Sequence, residues 1–306
     1  MRVLVTGAAG FVGRHLLTAL RAAGHEPLPT NIRADPSACI AALDIRDADA
    51  VDAAIGRLKP DACIHLAGIS FVPDAIRDPL ALDAINVAGT LHVAQALLRH
   101  VPQARMLFIS TSQVYGTRNL AGARRESDPL DPASPYAGSK ARAEAALLEL
   151  AAHRNLDVVI ARPGNHTGPG QAPKFVAPAF AAALRDFRDG RLASIAVGNL
   201  DSERDFSDVR DVVAAYLLLL EKGETGGIYN VSSGNHVRIG TLLTELARIA
   251  GVTPVTHVEP SRYRPTDAVP KLDTTRMRAL GWRPAYPLGR TLADLWQEME
   301  GGTAAR

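Results

Sequence analysis

Tyr136 and Lys140 stand four residues apart in Pro135-Tyr136-Ala137-Gly138-Ser139-Lys140. On a helix, that spacing puts both side chains on one face, one turn apart. A phenol ordinarily titrates near pH ~10, too high for proton exchange at neutral pH. A neighbouring ammonium favours the phenolate and lowers that value. The pair can then exchange a proton with a substrate oxygen while a nicotinamide exchanges hydride at the adjoining carbon. The same spacing arises on helices that do no chemistry, so its meaning rests on the elements that position it.

An apolar run, Met106–Ser110, leads into Thr111-Ser112-Gln113-Val114-Tyr115-Gly116. In an open α/β sheet, ligands bind outside the carboxyl ends of the strands. Thr111 at such an end can donate a hydrogen bond to a substrate oxygen, with Ser112 beside it. The plain alternative for both is a cluster of turn-forming hydroxyls. At the start of the chain, Thr6-Gly7-Ala8-Ala9-Gly10-Phe11-Val12-Gly13 follows an apolar strand and opens an amphipathic stretch. A glycine turn there lets backbone N–H groups approach a dinucleotide pyrophosphate, which the helix dipole also faces, and Gly13 lets the helix pack close to the sheet. The first two glycines are spaced more widely than in the commonest fingerprint. After the second strand comes Thr30-Asn31-Ile32-Arg33, with no acid until Asp35. An acid at this point would bind the ribose hydroxyls of NAD. Asn31 stands there instead. Arg33 is either a partner for a 2′-phosphate or a solvated surface residue, so NADP(H) is favoured and NAD(H) remains open. Asp44, next to Ile45, either holds the adenine edge or caps the next helix.

Strands are predicted at Arg2–Thr6, Glu26–Thr30, Cys39–Leu43, Ala62–Leu66, Met106–Ser110 and Val158–Ala161. Helices are predicted at Phe11–Ala23, Ala48–Leu58, Leu80–His100 and Tyr136–His153. This alternation predicts an α/β fold, a doubly wound Rossmann parallel sheet. Residues 163–175 are too rich in Pro and Gly for a regular element. Helices follow at Val176–Asp189, Asp208–Glu221 and Thr241–Ile249. The division expected is a dinucleotide-binding domain over 1–162, with 201–230 returning to it. A smaller, interleaved α/β substrate-binding lobe would comprise 163–200 and 231–306. Thr117–Ser134, with Arg124-Arg125-Glu126, is expected to be a polar surface flap.

The charges nearly balance, 34 basic against 32 acidic, so nothing electrostatic points to a nucleic-acid or membrane-surface partner. Cys39 and Cys63 lie in short apolar runs and are expected to be buried, inert thiols in a reducing cytoplasm. The N-terminus enters a strand directly, and the run Val212–Leu220 is too short to span a bilayer, which again suggests a cytoplasmic protein. No histidine spacing suggests a metal site.

Taken in order, Thr6–Gly13, Asp44-Ile45, His65-Leu66-Ala67-Gly68, Asn86 with Gly89-Thr90, Ser110–Gly116 and Tyr136–Lys140 resemble the extended short-chain dehydrogenase/reductase family over nearly the whole chain. The resemblance implies that Tyr136 is the acid/base, that Lys140 tunes it and holds the cofactor ribose, and that Thr111 assists. It implies that Leu66, Ala67, Gly68 and Pro163 join the glycine loop around the cofactor, with Asn86 in support. It also implies a homodimer paired through Leu80–His100 and Tyr136–His153.

The second half narrows the resemblance. Asn165-His166-Thr167-Gly168-Pro169-Gly170-Gln171, Phe175-Val176, Val197-Gly198-Asn199-Leu200, Arg204–Asp211, Tyr229-Asn230-Val231, Arg264-Pro265 and Gly281-Trp282-Arg283-Pro284 are similar to the branch of GDP-mannose dehydratases and GDP-4-keto-6-deoxy-mannose reductases. Ser70-Phe71-Val72-Pro73 looks most like the reductases. A GDP-sugar substrate is implied, with Asn165, Val176, Arg204 and Arg264 along its nucleotide and diphosphate and Ser70, Ser112 and Gln113 nearer the sugar. Arginines suit phosphate through paired, charge-assisted donors, although any one of them can equally be a solvated or ion-paired surface residue. His166 is either a packed loop residue or a catalytic one.

Dehydratases of this kind carry a glutamate two residues before the Tyr of the Tyr-Gly pair. Here that position is Gln113, and an amide cannot serve as a general base. Unless Glu126 or Asp128 enters from the flap, the resemblance implies reduction of the C4 keto group of GDP-4-keto-6-deoxy-D-mannose to GDP-D-rhamnose. A nucleotide-sugar 4-epimerase, a dehydratase and a non-catalytic cofactor-binding regulator are the alternatives.

Overall fold

The computed structural model describes residues 1–69, 78–117, 122–234, 236–263 and 269–301. Its frame is a seven-stranded, wholly parallel sheet of β1 (Arg2–Thr6), β2 (Glu26–Asn31), β3 (Ala41–Ala42), β4 (Ala62–His65), β5 (Arg105–Ile109), β6 (Val158–Pro163) and β11 (Ile228–Val231). The order is β11-β6-β5-β4-β1-β2-β3. Every residue of β4 and β6 is buried, as continuous apolar runs are when helices cover both faces of a parallel sheet. The chain winds outward from β1 to β3 and then crosses back to β4. Strand order therefore reverses between β1 and β4, and a crevice opens beyond their carboxyl ends.

Two cores flank the sheet. On one face, α1 (Phe11–Ala22) and α6 (Val209–Lys222) bury Leu16, Leu20, Val212, Tyr216 and Leu219. On the other, α2 (Ala48–Leu58), α3 (79–100) and α4 (Pro135–Arg154) bury Ile55, Val93, Leu97 and Leu147. Helix α3 runs from Pro79–Asp83 through a π-helical turn, Ala84–Gly89, into Thr90–His100. The turn falls where Gly89 passes against Ile45, whose Cδ1 would lie 2.7 Å from any added Cβ. Leu80–His100 is long and apolar enough to cross a membrane by length and composition, but its Val93, Ala94, Ala96 and Leu97 are packed in the second core.

The smaller lobe surrounds a third core of Phe180, Leu184, Leu242, Leu246, Leu292 and Trp296. These come from α5 (Val176–Arg188), α7 (Ile239–Ala250) and α9 (Leu288–Gly301). Short strand pairs complete it: β8 (Ile195–Val197) with β13 (Thr256–Val258), and β9 (Glu203–Asp205) with β12 (His236–Arg238). Between the lobes, β7 (His166–Thr167) pairs with β10 (Ser207–Asp208). Met277, from the short α8 (Thr275–Ala279), and Trp282 fall in the segment assigned to this lobe from sequence, yet their side chains lie in the first core. Trp282 Nε1 donates to the Asp211 carbonyl at 3.0 Å, and the Asp211 carboxylate accepts from the backbone of Ala285 and Tyr286.

The expected third strand contracts to Ala41–Ala42. Asp35 caps a 3-10 turn over Pro36–Ala38, and Cys39 ends that turn in the left-handed region at φ 55. Cys39 is therefore exposed, contrary to expectation, because local Asp-Pro-Ser turn chemistry outweighed the apolar pair that follows it. Cys63 is buried, and burial pushes its thiol up to about 12. The described part of the flap is tied down. Arg124 exchanges backbone hydrogen bonds with Lys271 and Asp273, and Leu130 packs with Val114, Tyr115 and Leu272.

Candidate active site

The crevice at the switch point is a cleft of about 880 Å³, within the range of small-molecule and cofactor sites. Gly7 turns the chain at its mouth with φ +71, and an added Cβ would lie 2.7 Å from the Ala67 nitrogen. Gly13 packs against Ala8 so closely that an added Cβ would overlap the Ala8 carbonyl oxygen and lie 2.7 Å from its carbon. At Gly10 the nearest atom would be the Gly7 oxygen at 3.2 Å, and otherwise a Cβ would enter the cleft. Gly10 is the N-cap of α1, with no side-chain cap and no acid in the first turn. The first N–H groups of α1 thus face the cleft with the helix dipole behind them, an arrangement that suits a diphosphate.

Across from this loop, α4 starts at Pro135 with Ser134 as its cap, and its first turns bring Tyr136 and Lys140 to the cleft wall. Lys140 Nζ donates to the Ile109 carbonyl at 2.7 Å and lies 4.8 Å from the centre of the Phe108 ring. Burial pulls the lysine down to about 8, with Glu144, one turn on, acting in the opposite direction. The Tyr136 hydroxyl faces Thr111 at the carboxyl end of β5, near enough for Thr111 to favour its ionised form. Burial pushes this phenol up to about 12, while the Thr111 contact pulls the other way. The expectation that the ammonium lowers the phenol is thus reversed. Tyr136 is only 7% exposed, desolvation dominates, and Lys140 spends its nearest hydrogen bond on the β5 backbone.

The structure also brings Phe11, Val12, Asn31, Asp44 and Ile45 to the cleft, with Leu66, Ala67, Gly68 and Pro163 across its floor. Gln113, Asn165 and Val176 line the side nearer the small lobe. Four expected residues are not among the lining residues. Arg33 is exposed outside the cleft, because the turn at Asp35 carries the chain away. Asn86 is buried behind the wall, accepting from Ile69 N at 2.9 Å and donating to Ser139 Oγ at 3.0 Å. It thereby positions the helix carrying Lys140. Ser112 is buried at the start of a 3-10 turn, and Arg204 is buried in β9, where it donates to the Glu203 carbonyl at 2.8 Å. Ser70 and Arg264 lie outside the described residues. His166 stands in the wall with its ring stacked on Phe11 at 6.1 Å, and burial lowers its pKa.

Several lining residues had no local signal. Arg14, one residue beyond the glycine loop, and Arg46 both line the end of the cleft marked by Asn31 and Asp44. Arg46 is paired with Asp44 at 2.6 Å. Asp44 therefore neither caps α2, a role taken by Asp47, nor stands as a lone carboxylate. Behind the wall lies a buried network that sequence reasoning also missed. Arg162 pairs with Glu144 at 2.6 Å, with both side chains at most 3% exposed. Ser110 donates to the same carboxylate, Arg162 donates to Tyr115 Oη at 2.9 Å, and Tyr115 donates to Asn230 Oδ1 at 2.8 Å. Glu126 accepts from Asn230 N at 2.9 Å and Asp128 from Arg125 N at 3.1 Å, so both flap acids are engaged away from the cleft. Among the described residues, no group of three His, Cys, Asp or Glu is placed to hold a metal ion.

A model of the NAD dependent epimerase/dehydratase family matches residues 3–232. The chain belongs to that family. It is 36% identical to GDP-6-deoxy-D-mannose reductase of Pseudomonas aeruginosa, over 98% of this chain and 97% of that one. It is 32% identical to UDP-glucose 4-epimerase of Mycolicibacterium smegmatis, over 96% of each. Among solved structures, RMD from Pseudomonas aeruginosa complexed with NADPH superposes with a TM-score of 0.88 at 36% identity, covering 98% of this chain and 99% of that one. The Thermus thermophilus UDP-glucose 4-epimerase complex with NAD superposes with a TM-score of 0.88 at 30% identity, with coverage of 98% and 99%. The parallel sheet, the uncapped α1 and the space beside Gly10 fit the nicotinamide dinucleotide that the family uses.

Proposed function

We propose that this chain reduces the C4 keto group of a GDP-4-keto-6-deoxyhexose, converting GDP-4-keto-6-deoxy-D-mannose to GDP-D-rhamnose, with NADP(H) preferred over NAD(H). The observation that carries this reading is the charge inventory of the cleft. Thr111, Tyr136 and Lys140 meet there, while Asp44 is the only acidic side chain among the described lining residues and is held by Arg46. Dehydration needs a second general base to remove a carbon-bound proton, and Gln113 cannot supply one. Reduction of a ketone needs no carboxylate.

When bound, the reduced nicotinamide supplies hydride to C4. The phenol of Tyr136, held neutral by burial, gives its proton to the C4 oxygen, so hydride and proton together account for the new C–H and O–H bonds. Thr111, beside Tyr136, orients that phenol. Lys140 holds a positive charge in the floor below about pH 8. Support for NADP(H) comes from Arg14 and Arg46 at the adenosine end, where Asn31 stands in place of an acid at the end of β2 and Asp44 is held by Arg46, and from the NADPH complex of the Pseudomonas structure. Arg14 takes the 2′-phosphate role that the sequence left open for Arg33, which is a surface residue.

A homodimer joined through the outer faces of α3 and α4 accompanies this reading. A surface hollow lined by Gln95, Leu98, Arg99, Leu150 and Arg154 lies between those helices. Exposed, unpaired Cys39 agrees with a reducing cytoplasm.

The test is incubation with NADPH or NADH and the keto-sugar nucleotide made in place by a dehydratase, following loss of reduced nicotinamide and identifying the sugar by NMR. NADPH oxidation that disappears in Tyr136→Phe is the expected result, and the C4 configuration names the product. Interconversion of C4 epimers without net cofactor oxidation would replace reduction with epimerisation.

A further inference from the structure

Tyr216 belongs to the inward face of α6, among Val212, Val213, Leu219 and Leu220 in the first core. Its side chain is fully buried. Those four neighbours are aliphatic, and a phenylalanine would supply the same ring. Yet the residue carries a hydroxyl, and that hydroxyl has no hydrogen-bond partner among the described residues. A buried polar group left unpaired destabilises a fold, so such a group calls for an explanation. Here one lies in its position. Tyr216 lines the cleft, and the Tyr136 phenol is close enough to act on it electrostatically. Tyr216 is thus a wall residue of the same cleft as Tyr136, Thr111 and Lys140, near the Tyr136 phenol. One end of that cleft is marked by Asn31, Asp44 and Arg46.

A dinucleotide lying from the Asp44 end to the Tyr136 end places its nicotinamide near Tyr216. The polar group on that ring is a carboxamide, whose oxygen accepts and whose nitrogen donates. We propose that the Tyr216 hydroxyl binds the nicotinamide carboxamide by donating to its oxygen, and so fixes the rotation of the ring about its glycosidic bond. This rests on the reading of the cleft as a nicotinamide-dinucleotide site. It adds a cofactor-binding residue on α6, far in sequence from the glycine loop. The rotation matters because it decides which face of the ring is turned to the substrate.

The test is Tyr216→Phe, which removes one oxygen and keeps the ring. Thermal unfolding of the ligand-free protein should be unchanged or shifted upward, because the lost group had no partner. Binding of NADPH, followed by fluorescence titration, should weaken roughly tenfold, the loss of one neutral hydrogen bond. Binding of 2′-phospho-ADP-ribose, which has no nicotinamide, should stay as in wild type. Equal weakening for both ligands, unchanged NADPH affinity, or a clear fall in the ligand-free unfolding temperature would each overturn the proposal. Because the readout is binding, a selective loss of NADPH affinity in a protein that reduces no keto-sugar would uphold this contact and sink the reduction reading instead.

Discussion

Gly10 and Gly13 sit three residues apart in one loop, and the structure assigns them different work. Gly10→Ala places a methyl 3.2 Å from the Gly7 oxygen, with the cleft as its remaining surroundings. The backbone there, φ −68 and ψ 170, is open to any residue. The cost to the fold is that of an alanine N-cap, below ~1 kcal/mol. Gly13→Ala instead drives a methyl into the Ala8 backbone, 2.7 Å from its carbonyl carbon and 2.8 Å from its Cα. Backbone atoms cannot swing aside as a side chain does, so α1 must move off the sheet, at about 3 kcal/mol. In a chain of 306 residues that is a fall of roughly 5 °C in Tm. Both variants should bind NADPH poorly, by roughly 10- to 100-fold, since the loss of one charge-assisted hydrogen bond suffices. Scanning calorimetry alongside fluorescence titration separates them: near-native unfolding with lost binding for Gly10→Ala, and loss of both for Gly13→Ala. If Gly10→Ala bound NADPH within twofold of wild type, or if Gly13→Ala unfolded at the wild-type temperature, the cradle described here would be refuted.

Three further outcomes follow. Glu144→Gln leaves the Arg162 guanidinium buried without its counter-charge, and urea unfolding should show a loss of about 3 kcal/mol or more; a loss under ~1 kcal/mol would mean the pair is not desolvated. Lys140 is pulled down to about 8 in the fold, while an unfolded lysine titrates near ~10.4, so from pH 8 upward the unfolded state binds more protons and stability rises with pH. Relative to Lys140→Met, ligand-free wild type should therefore gain about 2 kcal/mol between pH 7 and pH 9.5, and parallel profiles for the two proteins would contradict that burial. Arg14→Gln should lower the ratio of NADPH to NADH affinity about tenfold or more with little change for NADH, and equal effects on the two would remove Arg14 from the 2′-phosphate.

The parts of this protein legible in the chain are those governed by neighbours in sequence. Apolar runs buried on both faces marked β1, β4, β5 and β6. The spacing of Gly7, Gly10 and Gly13 marked the turn into α1, and the four-residue step from Tyr136 to Lys140 put both on one face of α4, because helical period and turn chemistry act over a few residues. Even this local reading failed where two short-range signals competed, as at Cys39. The tertiary structure decided what depends on depth and on distant partners. It moved Arg33 out of the cleft and Arg14 and Arg46 into it. It joined Glu144 to Arg162 across 18 positions, and seated Trp282 against Asp211 across 71. It also set the sign at Tyr136. A residue's nearest charge can be guessed from the sequence, but the water it loses on burial is set by everything packed around it, and here that loss prevails over the Thr111 contact that opposes it.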